Sequence, residues 1–250
     1  MWVFHGGFSF VFRRHCSLIT LFNMHHKSYM DLSDIFRSDK IHAAFSLKTL
    51  SNSGNERKLL SSLINLDPKK IVIPEQIHSS EVKIVDTPGK ISSTDAIISS
   101  SKLLVLSIQV ADCIPLYLAD PYNNVIGLVH AGWRGIEKGI VEKSINKMIS
   151  KGAHSNKIIA YIGPSIQKCC FEIGPDVSKK FPRNFQIFSN SDRSFLDLQE
   201  LTNNILIKNS VLHKNIISSN ECTKCNSDKF FSYRNTGSKS GRMIGVIGLT

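Results

Sequence analysis

The stretch "VADCIPLYLADPYNNVIGLVHAGWRG", residues 110–135, sets two apolar runs on either side of "DPYN", a strong turn signal. Two runs joined so tightly read as an antiparallel hairpin. With the turn centred on Pro121 and Tyr122, Leu118 faces Val125, Leu116 faces Gly127 and Ile114 faces Val129, which makes one apolar face. The same register puts Cys113 opposite His130 on the other face, with Tyr117 and Ile126. Cross-strand β-carbons lie about 4.5 to 5.5 Å apart, so a thiolate and an imidazole there can reach one metal ion. The bland alternative is a buried thiol beside a satisfied imidazole. Pro115 cannot donate to a ladder, which leaves room for a bulge or a one-residue slip.

Outward from the hairpin, strands and helices alternate. "LLVLSIQVADCIPLYLAD" (103–120) reads as one long extended stretch, and "KIVIPEQIHSSEVKIV" (70–85) as two short strands around a turn. "NERKLLSSLINL" (55–66) has helical spacing at Leu59, Leu60, Leu63 and Leu66. From Ile136 a second helix is expected, with apolar positions at Ile140, Val141, Ile145, Met148 and Ile149 and a C-cap at "KG". Strand returns in "KIIAYIG" (157–163) and "RMIGVIGL" (242–249).

The chain has 250 residues, 42% hydrophobic, enough for a substantial core. Its net charge of +11 could draw nucleic acid or anionic membrane, but the lysines are scattered and no aromatic and basic residues interleave as single-strand binders require. No run reaches the roughly 18 apolar residues of a membrane span. Six cysteines without a disulfide-framework spacing fit a reducing cytoplasm. Residues 1–30 contain no acidic residue, as in an organelle transit segment; alternatively translation begins at Met24 or Met30. Either reading places the catalytic domain at residues 31–250.

Catalytic zinc takes three protein ligands and leaves a position for water. His78 in "PEQIHSSEV" is the candidate third ligand beside Cys113 and His130. After His130, Gly132 and Gly135 let the backbone approach a ligand, and Arg134 offers a fork suited to phosphate. "FFSYRNTGSKSGRM" (230–243) adds Ser232, Arg234 and Arg242 as candidate phosphate contacts, the alternative being a solvated polar loop. Asp112 could orient a histidine or act as general acid, although it neighbours Cys113 on the opposite face. "CTKC" (222–225) is half of a zinc-ribbon pattern with no second half along the chain, and the vicinal pair Cys169 and Cys170 reads as structural rather than redox-active.

Together "PEQIHSSEV", "TDAII", "VADCIPLYLAD", "GLVHAGWRG", "IGPSIQKCCFEIG" and "CTKCNSDKFFSYRNTGSKSGRMIGVIGL" resemble the laccase-domain, YfiH-like family, described as purine nucleoside phosphorylases, as polyphenol oxidoreductases and as a peptidoglycan editing factor. The resemblance implies an α+β single domain, layered α/β/β/α with mixed sheets. It also implies a metal site of His78, Cys113 and His130 holding Zn2+ or copper, and a catalytic set of Cys113, Asp112, Arg134 and Arg234. The phosphate-binding set would be Arg134, Gly135, Ser232, Arg234 and Arg242. Expected substrates are purine nucleosides and phosphate, with deamination of adenosine beside phosphorolysis, in a monomer or weak homo-oligomer. Where the family usually carries "STRxGGVS", "AAFSLKTLSNSG" (43–54) has Lys48 and no glycine pair.

Two other chemistries compete. A metal-free cysteine hydrolase or cell-wall amidase would use Cys113 as nucleophile and His130 as base. A multicopper oxidase needs His-x-His pairs, and none occurs among the nine histidines.

Overall fold

The computed structural model describes residues 28–50, 54–189 and 192–250. The expected transit segment or alternative start, apart from residues 28–30, lies outside them. Two six-stranded sheets carry the fold. In spatial order the first contains Tyr29–Asp31, Ile41–Ser46, Met243–Leu249, Val105–Val110, Ile71–Pro74 and Gly89–Ile91. The second contains Ile216–Ser218, Ile159–Ile162, Ile114–Asp120, Val125–Ala131, Ala96–Ser99 and Val82–Ile84. Both mix parallel and antiparallel pairs.

The central strands "IPLYLAD", "VIGLVHA" and "MIGVIGL" are buried along their whole length because both of their faces are covered. Between the sheets Leu106 and Ile108 of the first meet Tyr117, Ile126 and Leu128 of the second. Tyr117 donates its hydroxyl to the Ala44 carbonyl across this layer, at 2.8 Å. Gly245 makes room for it: a Cβ there would lie 2.5 Å from the Tyr117 oxygen. Helices Ile140–Ser150 and Leu198–Lys208 cover the outer face of the second sheet through Ile145, Met148, Leu201 and Leu206. Helix Glu56–Leu63 covers the first sheet through Leu60. The order is therefore helix, sheet, sheet, helix, a single α/β domain with mixed sheets.

Four local expectations change. The hairpin register is two residues farther on, with Leu118 facing Gly127 and Pro115 facing His130. The buried carboxylate of Asp120 accepts the N–H groups of Tyr122 and Asn123 and opens the turn to Pro121–Asn124. An even shift keeps every side chain on its face, so Cys113 and His130 remain on the same side. The stretch 103–120 is not one strand: it runs in the first sheet to Val110 and in the second from Ile114, and Asp112 turns the chain between them at φ +80°. Likewise the strands at Ile71–Pro74 and Val82–Ile84 belong to different sheets. The expected helix at 136–150 is broken, because Gly139 sits at φ +81° between Trp133–Glu137 and Ile140–Ser150. A three-stranded sheet of Glu172–Ile173, Ser194–Leu196 and Gln186–Phe188 has no counterpart in the sequence reading.

Candidate metal centre and pocket

The chain passes from the first sheet to the second three times, and two of these crossings carry candidate ligands, one through the loop holding His78 and one through Asp112 and Cys113. Both crossings bend through a left-handed non-glycine residue, His78 at φ +57° and Asp112 at φ +80°. Such conformations cost on the order of 1 kcal/mol or more and persist where surroundings over-determine them. Here the surroundings are two buried carboxylates.

Asp95, fully buried at the edge of the second sheet, holds the first crossing. Its Oδ1 accepts the His78 N–H at 3.0 Å and faces His130 Nδ1 at 2.7 Å. Its Oδ2 accepts the N–H groups of Ile77 and Ser79 and the Ser79 hydroxyl. Burial opposes its charge, but the bonds from His130 and Ser79 outweigh that and hold the carboxyl at about 2. One side chain therefore fixes His78 through its backbone and His130 through its ring, and directs His130 Nε2 toward Cys113.

Asp112 holds the second crossing. Its carboxylate accepts the Thr223 hydroxyl at 2.6 Å, the Ser232 hydroxyl at 3.1 Å and the Arg234 N–H at 2.7 Å. These bonds turn it away from both histidines, so the orienting carboxylate is Asp95. Asp112 instead ties the Cys113 loop to residues 223–234.

The ligand atoms of His78, Cys113 and His130 lie within 4.8 Å of one another, and the imidazole rings meet edge to face at 4.8 Å between centroids. Among the described residues these are the only histidines in a group able to share an ion. Burial alone would raise the Cys113 thiol, but His130 and His78 outweigh it and hold the thiol below its ordinary value. His130 moves the opposite way: burial would lower it, and Cys113 and Asp95 raise it. The two shifts run in opposite directions because each group favours the charged form of the other, and an incoming cation would need both donor atoms free of protons.

The backbone also leaves room for an ion. A Cβ on Gly132 would lie 2.9 Å from Cys113 Sγ and 3.7 Å from a His78 ring carbon. One thiolate and two imidazoles around that space match a three-ligand site with an open position. The donor set fits zinc and also admits copper.

The centre opens into a cavity of about 740 Å3, within the usual range for small-molecule sites. Arg134, Arg234 and Arg242 line it, with Trp133, Phe171 and Tyr233. Arg134 stacks on Trp133 at 4.3 Å, Arg234 donates to the Glu172 carbonyl and Arg242 to the Ser240 carbonyl. None of the three arginines pairs with a carboxylate among the described residues.

Two candidates fall outside the cavity lining, as does Lys48 of the departing segment. Gly135 lies inside helix Trp133–Glu137, whose N-cap is Gly132, and a Cβ on it would meet the Ser79 carbonyl at 2.7 Å. It serves the packing of that helix on the His78 loop and does not line the cavity. Ser232 is buried against Asp112. Lys48 donates to the Ser227 carbonyl and does not line the cavity.

Two residues were missed by the sequence reading. Asp95 carried a signal, an acid opening the otherwise apolar "DAII". Gln76 pairs reciprocally with the Gln109 backbone at 2.8 and 2.9 Å, extending the ladder of the first sheet up to the His78 turn.

Fold and site together define a two-sheet α/β protein with a thiolate–imidazole centre set in the seam between its sheets. The chain belongs to the multi-copper polyphenol oxidoreductase laccase family, whose description matches residues 50–250. It is 30% identical over 203 residues to "Adenosine deaminase RL5" of an unknown prokaryotic organism, covering 74% of this chain and 78% of that one. It is 33% identical over 203 residues to "Purine nucleoside phosphorylase Cgl2154/cg2365" of Corynebacterium glutamicum, covering 78% and 80%. The crystal structure of Bacillus licheniformis hypothetical protein YfiH superposes with a TM-score of 0.79 at 26% identity, covering 84% and 93%. Among the described residues no helix is long and apolar enough to cross a membrane.

Proposed function

We propose that this chain is a zinc-dependent purine nucleoside enzyme, with residues 31–250 as its catalytic unit. It would cleave adenosine, inosine or methylthioadenosine with phosphate and also deaminate adenosine. The observation that carries this reading is the three-ligand centre at the floor of a cavity rimmed by three unpaired arginines. The names of the relatives, phosphorylase and deaminase, support it.

His78, Cys113 and His130 would hold the ion, which when bound supplies a Lewis acid and lowers the pKa of water. The chain's own groups do the rest. Arg134, Arg234 and Arg242 offer planar forks to the phosphate dianion. Trp133, Phe171 and Tyr233 give a flat purine faces to stack on. Asp95 keeps the His130 ring turned so that its free nitrogen faces the centre. In phosphorolysis the C–N bond to the base breaks as phosphate oxygen bonds the sugar carbon, giving ribose 1-phosphate and free purine. In deamination water replaces the amino group of adenine, and ammonia leaves.

A second reading has a specific observation behind it: the Cys113 thiolate, His130 and Asp95 line up as a nucleophile, base and orienting acid would. The two chemistries separate cleanly. Zinc-loaded protein is incubated with adenosine, with and without phosphate, and products are resolved by chromatography beside a Cys113→Ala control. Phosphate-dependent adenine, or inosine without phosphate, abolished by chelation and by the substitution, is the expected result. No nucleoside turnover by zinc-loaded protein overturns the proposal, and hydrolysis of an amide substrate that survives chelation but not alkylation favours the hydrolase.

A further inference from the structure

The half-motif "CTKC" finds its second half in space. Cys222 and Cys225 meet Cys169 and Cys170, and the four sulfurs lie within 4.8 Å of one another. We propose that Cys169, Cys170, Cys222 and Cys225 form a second metal site, separate from the His78 centre, that holds one tetrahedral Zn2+ and staples together the two segments forming one wall of the pocket.

The spacing decides between occupants. Cys225 Sγ lies 3.6 Å from Cys169 Sγ and 3.4 Å from Cys170 Sγ. A disulfide needs about 2.05 Å, and all four are free thiols. Four thiolates at about 2.3 Å from one zinc ion stand about 3.8 Å apart, close to what is seen. An iron–sulfur cluster interposes several atoms and spreads its thiolates beyond this range. A single ion fits the gap.

The local backbone is shaped for thiolate. The N–H groups of Gln167 and Cys225 are directed at Cys222 Sγ. Binding Zn2+ releases the thiol protons to solvent, forms four Zn–S bonds and leaves a net charge of −2, with no change of oxidation state.

The site lies where it matters for the pocket. The two cysteine pairs are joined by a bridge between Ser165 and Cys222, with Thr223 N donating to the Ser165 carbonyl. Thr223, inside the motif, also donates to Asp112 beside Cys113. Phe171, directly after Cys170, and Arg234, in the segment that follows Cys225, line the cavity. The staple would thus fix the wall that carries Arg234 and the tether of the Cys113 loop, whatever reaction the pocket performs.

The test uses the full chain carrying Cys113→Ser, which removes the only thiolate of the other centre. Loaded with Co2+, it should show the intense thiolate-to-cobalt charge-transfer band and the visible bands of tetrahedral cobalt. Adding Cys225→Ser, at an exposed position, should weaken both. Elemental analysis of unsubstituted protein purified under reducing conditions should find about two zinc per chain, and about one in the single Cys113→Ser variant. Absence of the charge-transfer band from folded, cobalt-loaded Cys113→Ser protein overturns the proposal. So does mass spectrometry showing a disulfide among the four cysteines in reduced, zinc-supplemented protein. Neither outcome depends on nucleoside turnover.

Discussion

Replacing Asp95 by asparagine tests the logic of the centre with almost no change of shape. The carboxylate accepts five bonds, two on Oδ1 and three on Oδ2. An amide can accept on one side alone, so its oxygen should take the Oδ2 position and keep Ile77 and Ser79. The NH2 group then confronts the His78 N–H, which is left without an acceptor, at about 1 to 3 kcal/mol. It also confronts His130 Nδ1, which can accept only if the ring proton moves to Nε2, the atom facing Cys113. Loss of the charge-assisted bond adds about 1.5 to 3 kcal/mol. The expected destabilisation is therefore about 2.5 to 6 kcal/mol, read from urea unfolding of the metal-free chain. Because the shifted proton occupies the ligand nitrogen, zinc affinity should fall roughly 10- to 100-fold in a competition titration with a chromophoric chelator. Unfolding midpoints and zinc affinity both equal to those of the unsubstituted protein would refute the assignment of Asp95 as the residue holding the two histidines.

Gly132→Ala should leave unfolding nearly unchanged, since φ −77° and ψ 163° suit alanine, yet weaken zinc binding tenfold or more because the methyl would lie 2.9 Å from Cys113 Sγ; equal zinc affinities would count against that space being the ion's. Tyr117→Phe removes the hydroxyl bond to Ala44 between the sheets and should cost about 1 kcal/mol in denaturant unfolding with nucleoside turnover unaffected, and a loss of turnover at full stability would be the contrary result. Arg234→Ala should raise the KM for phosphate about tenfold while adenosine deamination, which uses no phosphate, changes little; a parallel fall in both reactions would place Arg234 on the nucleoside.

The sequence reading succeeded where physics is local. Alternation along Ile114–Asp120 and Val125–Ala131 assigns every residue to its face, which is why Cys113 and His130 were found together before any pairing was known. It failed where a distant group intervenes. The turn register depends on the buried Asp120, which also accepts the His154 N–H, and no count of turn residues contains that bond. The break between the two sheets at Ala111–Cys113 depends on Asp112 being held by Thr223, Ser232 and Arg234, more than 100 residues away. Helix Glu56–Leu63 was recognised, and Leu60 and Leu66 of its expected stripe reach the core, but Leu59 and Leu63 are exposed and the unforeseen Ile64 is buried with Leu60 and Leu66. His78 was a weak candidate from its place before a polar turn, and the family resemblance strengthened it, since the Asp95 bonds that shape its loop come from a distant segment. The cysteine quartet escaped because its halves are about fifty residues apart and meet through a single bridge.

The crossings that carry His78 and Cys113 give the centre a peculiar relation to assembly. Two of its candidate ligands sit on linkers between the sheets and the third near the end of a strand in the second sheet, so neither sheet alone carries the set. The donors can converge only once the sheets have closed on one another, and a half-docked intermediate would present scattered donors with weak claims on any cation. Occupancy of the centre is then a certificate of completed folding, issued by the chain to itself: a molecule that holds its ion there has both sheets docked.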